Sequence, residues 1–132
     1  MAAADTMQAQ LCIPGTPPSF NAVGLHSHWT VGRKHKRQWQ EWLSIALMEQ
    51  AVPRGLVSVT ASATLQFKQR RRRDEGNFRV ILEKALGDAL VEGSWLADDT
   101  TEHYRFGAVE LEAPRPEPMT IVHLAFTRTS SR

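Results

Sequence analysis

The sequence predicts an α+β domain: one small sheet of about four strands, mixed or antiparallel, carrying two main helices. Three observations predict it. Residues 57–67 alternate apolar and polar side chains without a break, as a half-buried strand does. Two longer stretches repeat their apolar residues at helical spacing. The elements come in the order strand, helix, strand, helix, strand, strand, and consecutive elements tend to be neighbours, so residues 57–67 and the last two strands should make up most of the sheet. A chain of 132 residues has room for a single domain, 1–132, with one core.

Met1 to Gln8 reads as a loose tail, and Gln10 to Pro14 as a short apolar strand. Pro14-Gly15-Thr16-Pro17-Pro18 closes that strand and cannot be helical. Ser19 to Gly32 is polar and irregular; His26 and His28 have no third soft ligand near them in sequence, so loop packing or nucleic-acid contact is the expected use rather than a metal site. The first helix is expected from Lys34 to Ala51, with Trp39, Trp42, Leu43, Ala46 and Leu47 facing the core. Arg33, Lys34, His35, Lys36 and Arg37 crowd its start, where a helix already carries partial positive charge. A bound phosphate would relieve that crowding; otherwise these side chains splay into solvent.

Pro53-Arg54-Gly55 then breaks the chain. In the strand that follows, Val57, Val59, Ala61, Ala63, Leu65 and Phe67 share one face and Ser58, Thr60, Ser62, Thr64 and Gln66 the other. The second helix is expected from Glu75 to Glu92, with Phe78, Ile81, Leu82, Ala85, Leu86, Ala89 and Leu90 as its apolar face and Gly93 as its stop. Trp95 to Thr101 turns back toward the sheet. Strands follow at about His103 to Glu112 and Met119 to Thr127, joined by a proline-rich loop, before a frayed end at Thr129 to Arg132.

The chain is 42% hydrophobic, ordinary for a globular fold, and has no apolar run of membrane-spanning length and no signal-like start. Its single cysteine, Cys12, cannot form an internal disulfide; it reads as a small buried hydrophobe in a cytoplasmic protein. The net charge of +2 says little, but its distribution says more: Arg33–Arg37 and Arg70–Arg73 are dense positive clusters, and most acids fall between Asp74 and Glu117. The four arginines run straight into Asp74 and Glu75, and Asp98-Asp99 follows just beyond the second helix. Clustered carboxylates can hold a hard cation such as Mg²⁺, and neighbouring arginines can hold phosphate oxygens. Phosphodiester chemistry needs both together. The plainer alternative is a solvated basic loop before an amphipathic helix, with Lys84–Asp88 and Arg79–Glu83 as surface ion pairs.

Arg71-Arg72-Arg73-Asp74, Asn77, Lys84, Asp88-Ala89-Leu90, Gly93, Trp95 and Asp98-Asp99 resemble, in order, the pattern of the RusA family of Holliday junction resolvases of phages and prophages. Ile13 to Asn21 is similar to the family's proline-rich opening segment, so the resemblance covers nearly the whole chain. Two features depart from the pattern. Gly76 stands where the family has a second Asp, and four extra residues separate Asn77 from Lys84, close to one helical turn. Glu75, adjacent in sequence, is the favoured substitute carboxylate, with Glu83 the other candidate.

The resemblance implies a Mg²⁺-dependent endodeoxyribonuclease, with Mn²⁺ also possible, that resolves four-way junctions or other branched DNA by paired nicks in recombination, repair or phage DNA processing. It implies Asp74, Lys84 and Asp99 as catalytic, with Asp74, Asp99, Asp98 and Glu75 around the metal. Arg70, Arg71, Arg72, Arg73, Arg33, Lys34, Lys36, Arg37 and Asn21 would contact the DNA backbone. Asn77, Asp88 and Glu83 would support the site. A homodimer is expected, because a two-fold junction presents two strands to cut and one chain shows one acidic constellation. The alternative is a branched-DNA-binding protein whose catalysis is impaired by the Asp-to-Gly change.

Overall fold

A computed structural model describes residues 5–18, 29–69, 73 and 76–128. The elements are β1 (Asp5–Pro14), α1 (Trp29–Glu49), β2 (Ser58–Gln66), α2 (Gly76–Glu92), β3 (Tyr104–Leu111) and β4 (Met119–Arg128). The expected α+β architecture is borne out. Four strands form one mixed sheet in the order β1-β4-β2-β3, with β2 and β3 parallel and β4 antiparallel to both β1 and β2.

Strand alternation builds the core directly. Met7, Phe126, Val59 and Tyr104 form one cross-strand row on the inner face, and Leu11, Val122, Ala63 and Val109 another. The two helices close over these rows with Trp39, Leu43, Leu47, Leu82, Leu86 and Leu90, so one buried cluster draws on all six elements. The opposite face carries Gln8, Gln10, Ser58, Thr60, Ser62 and His123 and stays polar. Because β1, β2 and β3 run in the same direction, both helices return against them and lie parallel to each other. Two rungs across the helix pair show this: Lys36 donates to Asp88, and one turn on Gln40 donates to Glu92.

Several element boundaries differ from the sequence reading. β1 begins at Asp5, so residues 5–8 are no tail; they pair with Ala125 to Arg128. Residues 57–67 and the last two strands do make up most of the sheet, with β2 lying between β3 and β4. Cys12 is exposed, because strand alternation turns Leu11 and Ile13 inward and Cys12 outward. α1 starts at Trp29, five residues before Lys34; nothing from Trp29 to Gly32 forbids a helix. The basic cluster therefore occupies the second and third turns, and the case for a phosphate at the helix end does not apply to it.

Both helices end in the same hydrogen-bonded cap. At α2, Trp95 N–H donates to the Leu90 carbonyl and Ser94 N–H to that of Val91, with Ser94 in the left-handed region at φ 62°. At α1, Val52 donates to Leu47 and Ala51 to Met48, with Ala51 at φ 52°. Gly93 thus sits one residue before the left-handed position. A Cβ there would run into the Trp95 ring, so its bareness makes room for that side chain. A left-handed alanine costs about 1–2 kcal/mol. Ala51→Gly, at an exposed position, should raise stability by about 1 kcal/mol net of glycine's extra chain entropy, measured by urea denaturation. No helix among the described residues is long and apolar enough to cross a membrane.

Candidate active site

α2 presents Glu83, Lys84, Gly87 and Asp88 along one stripe, at i, i+1, i+4 and i+5. Gly87 is what lets the chain beyond the helix approach it. A Cβ at Gly87 would meet the Tyr104 ring at 3.0 Å and the Asp99 carboxylate at 3.4 Å. Asp99 therefore lies over the helix surface one turn from Glu83 and Lys84. Tyr104, the first residue of β3, donates its hydroxyl to the Glu83 carbonyl at 2.7 Å and locks the returning strand to α2. Burial raises the Tyr104 pKa far above its ordinary value, with the charges of Glu83, Asp99 and Asp88 pushing the same way and Arg79 opposing them. The buried phenol thus stays protonated and acts as the donor to the Glu83 carbonyl.

The adjoining turn is shaped by Asp98. Its Oδ1 accepts hydrogen bonds from the Thr100 hydroxyl at 2.8 Å and the Thr100 amide at 3.1 Å. These hold its carboxyl below the ordinary carboxylate value, hydroxyl first and amide second, with partial desolvation opposing and nearby His103 helping. His103 is hydrogen-bonded through Nδ1 to the Val57 carbonyl at 3.0 Å, and its Nε2 lies 3.9 Å from Asp98. Asp98 thus does the turn-forming work that adjacent acids in a loop often do, while Asp99 accepts no hydrogen bond among the described residues.

The stripe also receives a cation from α1. Lys36 pairs with Asp88 across 52 residues, bringing the Arg33–Arg37 cluster beside the Glu83–Asp88 stripe. Arg33, Lys34 and Arg37 are exposed on that helix. The alternative pairing of Lys84 with Asp88 does not form; Lys84 is exposed and makes no ion pair among the described residues. Arg79 and Glu83 do pair at 3.1 Å, and Arg79 also holds the Phe106 carbonyl at 2.7 Å. Arg73 stacks 3.8 Å above Phe67, which packs on Phe78, and donates to the Gln69 carbonyl at 3.1 Å. The end of the arginine run is thereby fastened to the point where the chain leaves β2 for α2.

Asn21, His26, His28, Arg70, Arg71, Arg72, Asp74 and Glu75 lie outside the described residues, and Asn77 falls in the first turn of α2. Gly76 and Gly87 are eleven residues apart on α2, which is about 16 Å along the axis. Glu83, one turn from Gly87, is therefore much nearer Asp99 than the start of the helix is. Among the described residues no three carboxylate, imidazole or thiolate groups converge to hold a metal ion, so these residues alone do not complete an ion's coordination.

Tyr104, Gly87 and His103 were not singled out from the sequence as site residues. The strand pattern places Tyr104 only as the second residue of a strand expected from about His103; a glycine inside a helix's polar stripe was the available signal for close approach at Gly87. The chain matches no known protein-family model, and no curated protein matches it.

Proposed function

We propose that the chain is a metal-dependent endodeoxyribonuclease acting on four-way junctions or other branched DNA, in the manner of the RusA family its motifs resemble, and that it works as a homodimer. The observation that carries the reading is the Lys36–Asp88 contact, which sets the basic cluster of α1 against the carboxylate stripe of α2 that Asp99 overlies. Cleaving a phosphodiester requires cations that grip the backbone beside carboxylates that position the reacting groups. Asp99, Asp98 and Glu83 are the described part of the carboxylate set, and Asp74 and Glu75 complete it on the family's pattern. Bound Mg²⁺ would neutralise charge on the attacking and leaving oxygens. Lys34 and Arg37 hold backbone phosphates, which orients the duplex without reading its bases. Lys84, exposed and without an ion-pair partner among the described residues, meets the scissile phosphate as a point charge.

The test is nicking of a synthetic four-way junction with and without Mg²⁺. Metal-dependent paired nicks support the reading; tight junction binding with no nicking under any divalent cation replaces it with the second one, a binding protein without catalysis. Gly76 in place of an acid favours that second reading. Lys84→Ala is expected to slow single-turnover nicking by about 10²–10³-fold, the usual loss when a transition-state donor is removed. Its position on the solvent side of α2 leaves the fold intact. A rate within a few-fold of the parent chain would return Lys84 to the role of a surface charge.

A further inference from the structure

The two edges of the sheet are guarded unequally. β3, at one edge, carries Arg105, Gly107 and Glu110, lies beside the register shift between Ala61 and Ala63, and has its Phe106 carbonyl taken by Arg79. Charges, irregular register and occupied carbonyls keep an edge from pairing with another chain. Among the described residues β1, at the other edge, has none of these between Thr6 and Ile13. That run holds no charge, proline or glycine, and its register with β4 is unbroken from Asp5 to Pro14.

Beside this bare edge α1 exposes a stripe of large apolar side chains, Trp42 at 37%, Ile45 at 50% and Met48 at 54%. Trp42, Ile45 and Ala46 wall a groove of about 310 Å³ against Cys12, Ile13 and Pro14 of β1. Among the described residues, an open strand edge and an apolar helix stripe thus form one continuous strip.

We propose that this strip is the interface between two copies of the chain, in which β1 pairs antiparallel with β1 of its partner and the α1 stripes close over the join. The two four-stranded sheets would then run together as one. The proposal supplies the surface for the homodimer proposed above and rests on that part of the reading, but not on metal or cleavage. Three features favour a second copy over other occupants. An antiparallel strand is complementary to itself about a two-fold axis, so one edge satisfies its twin without any other sequence. The strand residues 6–13 are uncharged, and Glu41 and Glu49 put negative charge beside the exposed apolar side chains of α1, so the strip does not suit nucleic acid. Its size is also right: ten residues of strand are about 34 Å long. With the helix layer above, about 20 Å deep, this gives roughly 700 Å² per copy against about 800 Å² in a stable interface.

The test is the mass of the full chain by sedimentation equilibrium at micromolar concentration, without DNA or divalent metal. The parent chain should weigh two chains. Ile45→Lys should weigh one, with dissociation at least about thirtyfold easier, as loss of a central interface contact brings. Val80→Lys, at an equally exposed apolar position on α2 (42%), should remain a dimer. If circular dichroism shows Ile45→Lys unfolded, Met48→Lys takes its place. A monomeric parent chain overturns the proposal, as does a folded Ile45→Lys or Met48→Lys variant that stays as dimeric as Val80→Lys. Nicking is read separately. A dimer that never cleaves removes the nuclease reading and leaves the interface standing, and a monomer that cleaves does the reverse.

Discussion

Asp99→Asn is expected to reduce nicking of a four-way junction to about 1% of the parent rate or below, a loss of at least about 2.7 kcal/mol in the transition state. Junction binding should change by less than about threefold, since under the nuclease reading the grip on phosphate belongs to the cationic residues. The variant is nearly isosteric, and Asp99 is exposed and accepts no hydrogen bond among the described residues, so the turn and α2 should not change. Asp74→Asn is expected to behave alike, as the other acid the family pattern makes indispensable. Asp98 offers a contrast. Its Oδ1 already serves the Thr100 amide and hydroxyl, and Asn keeps an acceptor there, so Asp98→Asn should hold the turn and lose less activity. The same nicking assay decides which acid stands in for the one missing at Gly76. Glu83→Gln abolishes cleavage if the neighbour one turn from Asp99 serves, and Glu75→Gln does if the sequence neighbour serves. Cleavage at the parent rate by Asp99→Asn would remove Asp99 from the site.

What the sequence revealed and what it hid follow from the range of the forces involved. β2 was readable because each inward residue, Val59, Ala61, Ala63 and Leu65, is buried between polar neighbours, a pattern confined to nine residues. α2 was readable to within one residue of its start for the same reason. The first half of β1 was not, because Asp5 to Gln8 are held as strand by partners more than a hundred residues away. Their own composition gives no such signal. The start of α1 was missed because a polar, irregular stretch runs into it from Ser19, with no proline or recognisable cap marking Trp29 as the first residue.

The site shows the same division. Acidic and basic clusters are properties of sequence and were visible there. The convergence of Asp99 on Gly87 depends on how the chain turns from α2 into β3, and that of Lys36 on Asp88 on α1 and α2 running parallel on one face of the sheet. That follows from β1, β2 and β3 sharing a direction, which no local pattern encodes. Pairing Lys84 with Asp88 was the natural local guess, since helix neighbours four apart usually interact. The packed helix pair gave Asp88 a different partner.

Trp95→Ala is expected to cost about 3–5 kcal/mol, the usual loss for a large buried aromatic. That is a large part of the roughly 5–15 kcal/mol that holds a domain together. Trp95 is 1% exposed and joins two distant parts of the chain. Its indole N–H donates to the Val52 carbonyl at 2.9 Å, and its own carbonyl accepts from Leu56 at 2.8 Å. Arg54 lies 4.3 Å above the ring while its Nε binds the Gly93 carbonyl at 2.8 Å. The segment after α1 is thus clamped to the end of α2, where the Ser94 cap begins the turn carrying Asp98 and Asp99. Truncating the ring empties a cavity that Gly93 cannot fill and leaves the Val52 carbonyl without its donor. Trp95→Phe keeps most of the buried ring and loses the hydrogen bond, so it should cost only about 1–3 kcal/mol. Urea denaturation followed by circular dichroism measures both variants against the parent chain. Under the nuclease reading, Trp95→Phe should keep nicking close to the parent rate below its unfolding midpoint, because the turn still leaves α2 through the same cap. A loss below about 1 kcal/mol for Trp95→Ala would contradict the clamp, since large-to-small changes at well-packed buried sites cost more than that.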